Sequence, residues 1–126
     1  MGPVKQPEPR PGTERVIRAE NVEIDLDRRI VTKGDETVSL TRTEWRLLQH
    51  LATNAGRVML SAELLGNVWG PEYRDDVQYL RMWVSRLRRK LEANPAAPVI
   101  IRTMQGMGYL LDAEPPSSSA SPGSSV

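Results

Sequence analysis

The chain contains no cysteine, a single histidine and no long apolar run, and each absence removes a class of protein. Without cysteine among its 126 residues, the chain forms neither a disulfide scaffold nor a thiolate metal site, which fits a reducing cytosol. No apolar run approaches the roughly 18 residues of a membrane span, and the start lacks the apolar stretch of a signal peptide. We therefore expect a cytoplasmic protein without membrane contact.

The sequence also offers little for catalysis or for binding a cofactor. His50, the only histidine, precedes Leu51 within a predicted helix, and neither a nucleophile nor paired carboxylates accompany it. A structural histidine explains that position better than a catalytic one. Gly106 and Gly108 belong to a predicted hairpin turn rather than to a phosphate-binding loop, and no residues have metal-ligand spacing. We expect no enzyme, no cofactor and no metal.

Composition divides the chain into a patterned centre and two ends. Residues 1–13 contain four prolines, and residues 114–126 consist mostly of proline, serine and glycine. Such segments have too little apolar surface to offset the entropy lost on ordering. We expect both ends to be disordered, with one folded domain at 14–113 that is large enough to need no covalent crosslink.

The first part of the domain has the periodicity of strands. Apolar and acidic residues alternate over 22–26, which indicates a strand with one buried face. Residues 30–32 and 37–40 flank Gly34, which suits the turn of a hairpin. With residues 15–18 as a further strand, the pattern predicts an antiparallel sheet of three or four strands.

Three helices and a second hairpin follow. Residues 41–44 (TRTE) form a capping box for the first helix, and Gly56 is placed to end it. The second helix begins at Ser61 and ends before Gly70, and the third spans about 77–93. Strands at 99–103 and 107–111 then surround Gln105-Gly106. This order predicts an α+β fold, a winged helix-turn-helix with an N-terminal antiparallel sheet, three helices and a C-terminal β-hairpin wing.

The third helix is amphipathic, and residues 77–92 carry five basic residues against Glu92 alone. The stripe that we expect to face the core comprises Val77, Leu80, Val84, Leu87 and Leu91. The opposite face, which we expect to contact bases, comprises Gln78, Met82, Ser85, Arg86 and Arg89. Arginine matches the guanine edge, glutamine matches adenine, and an apolar side chain meets the thymine methyl. A solvated amphipathic helix would show the same pattern, but the hairpin that follows favours a recognition helix.

Three segments resemble one known family, the OmpR/PhoB-type effector domains of two-component response regulators. Residues 40–48 (LTRTEWRLL) resemble the opening of the family's first helix, and residues 64–70 (LLGNVWG) resemble the end of its second. Residues 85–92 (SRLRRKLE) and 101–109 (IRTMQGMGY) resemble its recognition helix and wing. Residues 77–81 (VQYLR) are nearest to the KdpE branch, which responds to potassium.

The resemblance, which covers residues 16–112, implies sequence-specific binding of double-stranded DNA by a transcriptional regulator of a two-component phosphorelay. It implies binding to tandem direct repeats, with Ser85 and Arg86 approaching bases. The residues expected to contact phosphates or to act through the wing are Thr41, Trp69, Arg81, Arg88, Arg102, Thr103, Gln105 and Tyr109. Gln105 stands where many relatives have a basic residue.

The resemblance also implies a protein partner and a missing domain. The loop over residues 70–76 would contact RNA polymerase, and its candidate residues are Pro71, Glu72, Tyr73, Arg74 and Asp75. The phosphorylatable receiver domain of the family is absent, because the chain has no aspartate-bearing βα repeat. We expect either an excised fragment or a different mode of regulation.

An alternative is a winged helix that is used only for contacts with proteins. Trp69, Tyr73, Tyr79 and Trp83 would then form an aromatic surface of the kind found in protein interfaces. The arginines on the predicted groove face favour DNA instead. Salt-dependent binding to a random duplex distinguishes the two functions.

Overall fold

The computed structural model describes residues 15–115. The segment predicted to be disordered at 1–13 lies outside this range, and so does the predicted tail beyond Pro115. The described part begins with four antiparallel strands in sequential order, β1 (Val16–Ala19), β2 (Val22–Asp25), β3 (Ile30–Lys33) and β4 (Glu36–Val38). Gly34 has a φ of +62° in the two-residue turn between β3 and β4, a conformation that glycine adopts without steric cost. The predicted N-terminal sheet is thereby confirmed.

Helix α1 (Arg42–Thr53) begins with the predicted capping box. The Glu44 N–H donates to Thr41 Oγ1 at 3.2 Å, and the Thr41 N–H donates to Glu44 Oε1 at 2.9 Å. The helix ends at Thr53, earlier than the predicted end at Gly56. Gly56 instead lies in the following turn with a φ of +81°, and its N–H donates to the Leu111 carbonyl at 2.8 Å.

Helix α2 (Ser61–Val68) begins at the predicted residue, Ser61. Leu60 is the N-cap, so Ser61 already belongs to the helix and caps nothing. The Leu60 N–H donates to the Glu63 carboxylate at 3.3 Å. Met59 and Leu60 form a strand that was not predicted, β5 (Met59–Leu60), and the chain enters the helix directly from it. A two-residue strand has no periodicity that a sequence pattern can reveal.

A short 3-10 helix (Pro71–Tyr73) leads into helix α3 (Val77–Leu91), and the chain closes with β6 (Ile101–Met104) and β7 (Gly108–Leu111). The last two strands are the predicted hairpin, and β5 pairs with β7 to give the order β5-β7-β6. A side chain at Gly108 would overlap the Met59 carbonyl and place its Cβ 2.9 Å from the Leu60 Cα. Glycine therefore permits the close approach of β5 to β7.

The core lies between the first sheet, the three helices and the hairpin. Four of the five residues predicted to form the stripe on α3 are buried, and they are Leu80, Val84, Leu87 and Leu91. Val77 is the exception with 41% exposure, because it occupies the first turn of α3 and borders a surface groove instead of the core. The architecture is the predicted winged helix-turn-helix, with α3 as the second helix of the motif and β6–β7 as the wing.

Candidate nucleic-acid interface

Helix α3 presents the five residues predicted to contact bases to solvent. Gln78, Met82, Ser85, Arg86 and Arg89 are all exposed. At about 100° per residue they occupy an arc about 100° wide, whose centre is about 180° from the centre of the buried stripe. The helix is therefore fixed to the core along one side and offers a continuous polar face on the other. The contact of these residues with bases stays a prediction.

The shoulder of α3 that faces the wing contains Arg81 and Arg88, and the two arginines differ. Arg81 is exposed, and it has no salt bridge to another residue of the described range 15–115. It lines a groove of about 270 Å³ between the start of α3 and the wing. The other side chains in this groove include Ser61, Val77, Thr103, Met107 and Tyr109. Arg81 is thus exposed beside the wing, and its contact with a phosphate stays a prediction.

Arg88 is half-buried and is bound to the wing. Its Nε and Nη2 donate to the Ile101 carbonyl at 3.0 and 2.7 Å, and Nη2 also donates to Thr103 Oγ1 at 2.9 Å. The guanidinium carbon lies 5.8 Å from the centroid of the Tyr109 ring. Burial lowers the pKa of Arg88, while Tyr109 and Glu92 raise it. Nε and Nη2 of this guanidinium are thus bound to the wing, and the phosphate contact predicted for Arg88 stays untested.

Lys90, near the end of α3, also has its partners inside the protein. Lys90 Nζ lies 2.6 Å from Glu44 Oε1 and donates to the Ser39 carbonyl at 2.8 Å. Burial alone raises the pKa of Glu44, but the hydrogen bonds from Lys90 and Thr41 leave this pKa below its ordinary value. The local count of charges missed this pair because its members are separated by 46 residues in sequence.

Glu92, the only acid of the segment 77–92, is 2% exposed. Its carboxylate accepts hydrogen bonds from the N–H groups of Val99, Ile100 and Ile101 at 2.8, 3.0 and 2.7 Å respectively. The carboxylate therefore fixes the chain that enters the wing. Sequence reasoning counted Glu92 only as a charge that offsets the arginines.

Four aromatic side chains form a cluster on the other shoulder of α3. Tyr79 lies at its centre, with ring centroids 5.2 Å from Trp69 and 5.7 Å from Tyr73, and Trp83 lies 6.0 Å from Trp69. All four are half-buried, so they pack mainly against one another and the core. Arg86 lies over the Trp83 ring at 4.9 Å. This packing favours a structural role over the aromatic docking surface of the alternative function.

The remaining predicted phosphate and wing residues are spread over two elements. Thr41 is exposed at the start of α1, and in the wing Thr103 and Gln105 are exposed. Arg102 Nε lies 2.7 Å from Asp112 Oδ2, but both side chains are about half exposed, so this ion pair holds them weakly. Tyr109 is only 5% exposed and contributes mainly to the base of the wing.

The predicted polymerase-contact loop contains the 3-10 helix Pro71–Tyr73. Glu72, Arg74 and Asp75 are exposed, whereas Tyr73 belongs to the aromatic cluster. Pro71 and Arg74 line a second groove, which extends along α2. The loop thus has a polar outer surface and an aromatic anchor.

Residues 15–115 contain no group of three or more His, Cys, Asp or Glu side chains that could hold a metal ion. In the same part of the chain, no helix combines the length and the apolar composition that crossing a membrane requires. His50 is half-buried on α1, and burial together with the charge of Arg46 lowers its pKa.

Known proteins of similar sequence include transcriptional regulatory proteins. The family described as "Transcriptional regulatory protein, C terminal" matches residues 35–111. The transcriptional regulatory protein KdpE of Mycobacterium tuberculosis is 43% identical over 98 residues, which are 78% of this chain and 43% of that protein. KdpE of Escherichia coli is 42% identical over 94 residues, or 75% of this chain and 42% of that protein.

Solved structures are similar as well. The DNA-binding domain of RstA from Klebsiella pneumoniae, in complex with the RstA box, has a TM-score of 0.68 and 35% identity. The similarity covers 77% of this chain and 96% of that domain. The chain thus spans less than half the length of the two KdpE proteins but nearly all of this domain.

Proposed function

This chain belongs to the transcriptional regulatory protein C-terminal family, the OmpR/PhoB-type domains, and we propose that it binds specific double-stranded DNA sequences by inserting α3 into the major groove. The observation that carries the proposal is the outward face of α3, which lies opposite the buried stripe and contains Arg86, Arg89 and Gln78. A helix of this width fits the major groove, where each base pair presents a distinct pattern of donors and acceptors.

Within this interface the contacts divide between bases and phosphates. Arg86 lies at the outward face with Trp83 behind its guanidinium, and we assign it to a guanine edge. Gln78, Met82, Ser85 and Arg89 complete the proposed base-reading face. Arg81 borders the groove beside the wing, which suits a phosphate. Thr41, Trp69, Arg102, Thr103, Gln105 and Tyr109 remain candidates for phosphate or wing contacts.

The test is the affinity of Arg86→Ala for selected and scrambled duplexes. The selected duplex is first isolated from a random pool with the wild-type chain. We expect Arg86→Ala to lose about 1–3 kcal/mol on the selected duplex and much less on the scrambled one. Arg28→Ala is the matched control, because Arg28 is exposed in the turn between β2 and β3 and its loss changes the net charge equally. An equal loss on both duplexes would exclude base reading by Arg86.

We further propose that two copies bind head to tail on tandem direct repeats. The large apolar side chains that are exposed within 15–115 lie on several different elements, and they are Ile30, Leu60, Val77, Met82, Val99 and Met107. A monomer in solution is expected by analytical ultracentrifugation. Inverting one repeat should weaken binding of the second copy, whereas equal cooperativity on both arrangements would contradict the proposal.

For the whole protein, we propose transcriptional regulation within a two-component phosphorelay and contact of the loop 70–76 with RNA polymerase. The exposed side chains of Glu72, Arg74 and Asp75 support this contact because they lie outside the DNA-facing surface of α3. Substituting all three by alanine should reduce transcription in vitro while leaving DNA affinity unchanged. A loss of DNA affinity would assign the loop to the DNA interface instead.

A further inference from the structure

The helix and the wing meet at a polar junction on the open edge of the wing. Strand β6 is an edge strand, because it pairs with β7 on one side only. Ile101 lies opposite Leu111 in that pairing, and the Asp112 N–H donates to the neighbouring Ile100 carbonyl. In an antiparallel pair the backbone groups of successive residues point alternately toward and away from the partner strand. The N–H and carbonyl of Ile101 therefore point away from β7.

Side chains from the end of the recognition helix satisfy both of these outward groups. Glu92 accepts from the Ile101 N–H at 2.7 Å, and Arg88 donates twice to the Ile101 carbonyl. The two side chains are four residues apart, so they lie on one side of the helix. Arg88 also reaches Thr103, the second residue along β6 from Ile101. One guanidinium thus holds two consecutive outward positions of the wing strand.

We propose that Arg88 is a positioning residue that sets the wing at a fixed angle to α3, so that wing and helix meet adjacent parts of the DNA together. This inference depends on the proposed DNA-binding function. Arg88 acts through Ile101 and Thr103 and contributes no phosphate contact of its own. The exposed Arg81 on the same shoulder of α3 supplies that contact instead.

The shape of the side chain distinguishes positioning from a phosphate contact. Either a lysine or an arginine side chain can supply the positive charge of a phosphate contact. The junction needs the planar fork, because Nε and Nη2 of one group donate to the same carbonyl and Nη2 also reaches a hydroxyl. A lysine ammonium keeps the charge but cannot reproduce that geometry. Arg88→Lys therefore separates charge from position.

The first measurement is hydrogen exchange of the chain without DNA. We expect Arg88→Lys and Thr103→Val to accelerate exchange in β6 and β7, while the amides of α1 keep their wild-type protection. Arg89→Lys is the matched control, because Arg89 is exposed on the same helix and lies outside the junction. Wild-type exchange throughout the wing of Arg88→Lys would overturn the proposal. This measurement needs no DNA, so it stays informative if the proposed DNA binding fails.

The second measurement is binding of the selected duplex over a range of salt concentrations, with hydroxyl-radical footprints. We expect Arg88→Lys to bind about tenfold more weakly and to lose protection at the DNA edge next to the wing, with an unchanged dependence on salt. Arg88→Ala should show that unchanged salt dependence too. If Arg88→Ala lowers the salt slope by about 0.9 while Arg88→Lys binds like the wild type, Arg88 contacts a phosphate and the proposal is wrong.

Discussion

The outward face of the recognition helix and the end of that helix beside the wing use their charges in opposite ways. In the first half, Gln78, Arg81 and Met82 are exposed, and the side chain of the N-cap residue Asp76 makes no capping hydrogen bond. In the second half, Arg88 and Lys90 donate to other parts of the protein, and Glu92, which follows the last turn, accepts from three backbone groups. The exposed Arg86 and Arg89 continue the outward face into that second half. The C-terminal end of α3 is thus bonded to other parts of the protein, while an exposed polar face runs along the helix from its first turn.

Because of this contrast, fewer basic residues of α3 are exposed than the sequence suggests. The sequence gives five basic residues against one acid in 77–92, which suggests a uniformly cationic helix. In the folded protein Lys90 is paired with Glu44, and Arg88 is bound to the wing. Arg81, Arg86 and Arg89 remain as the exposed arginines of α3. The number of basic residues in a segment is therefore an upper limit to the number that this segment can present at an interface.

The largest expected effect concerns the held end of the helix. Glu92→Ala removes the acceptor of three N–H groups, two of which belong to the buried Ile100 and Ile101. Leaving these donors unsatisfied should lower the free energy of unfolding by on the order of 3–5 kcal/mol. For a domain of this size the melting temperature should fall by roughly 12–20 °C, measured by circular dichroism.

Two control variants sharpen this prediction. Glu92→Gln keeps an acceptor oxygen of similar shape and should give an intermediate loss of stability. Glu72→Ala removes an exposed carboxylate from the 3-10 helix and should leave the melting temperature nearly unchanged. If Glu92→Ala unfolded at the wild-type temperature, the end of α3 would not be held by this carboxylate.

The contact between the held end and α1 should respond to pH. Because the pKa of Glu44 is lowered in the folded protein, ionised Glu44 stabilises the fold above the ordinary pKa of 4.5, and this contribution disappears as the pH falls through the lowered value. Glu44→Gln should therefore lose about 1–2 kcal/mol of unfolding free energy at neutral pH and little in acid. Urea unfolding at several pH values measures the difference, and a constant difference down to pH 3 would contradict this assignment.

The success of the sequence predictions depended on how local each feature is. The capping box at 41–44 and the turn at Gly34 are encoded by neighbouring residues, and the structure contains both. Strand β5 was missed because its partner lies far along the chain in β7. The buried stripe of α3 was right except at Val77, where the core ends before the helix does.

The candidate site follows the same rule. Helical periodicity alone was enough to identify the outward face of α3. It could not show that Arg88 bonds to Thr103 or that Lys90 pairs with Glu44, because those partners approach only when the chain folds. Helical periodicity therefore cannot distinguish an exposed charge from one that is bonded to a distant part of the chain.

The smallest expected effect is a change in the salt dependence of DNA binding. Comparing Arg81→Met with Lys90→Met for this property tests the division of charges on α3 most directly. Both variants remove one positive charge from α3 and keep a long side chain. If only the total charge of the protein mattered, the two variants would therefore change DNA binding equally. The measurement is the slope of the logarithm of the DNA association constant against the logarithm of salt concentration, below the unfolding temperature of each variant. We expect Arg81→Met to lower the magnitude of this slope by about 0.9, as for one lost phosphate contact, and Lys90→Met to leave it unchanged. Equal slopes for the two variants would contradict the division of α3 into charges that bind DNA and charges that hold the fold.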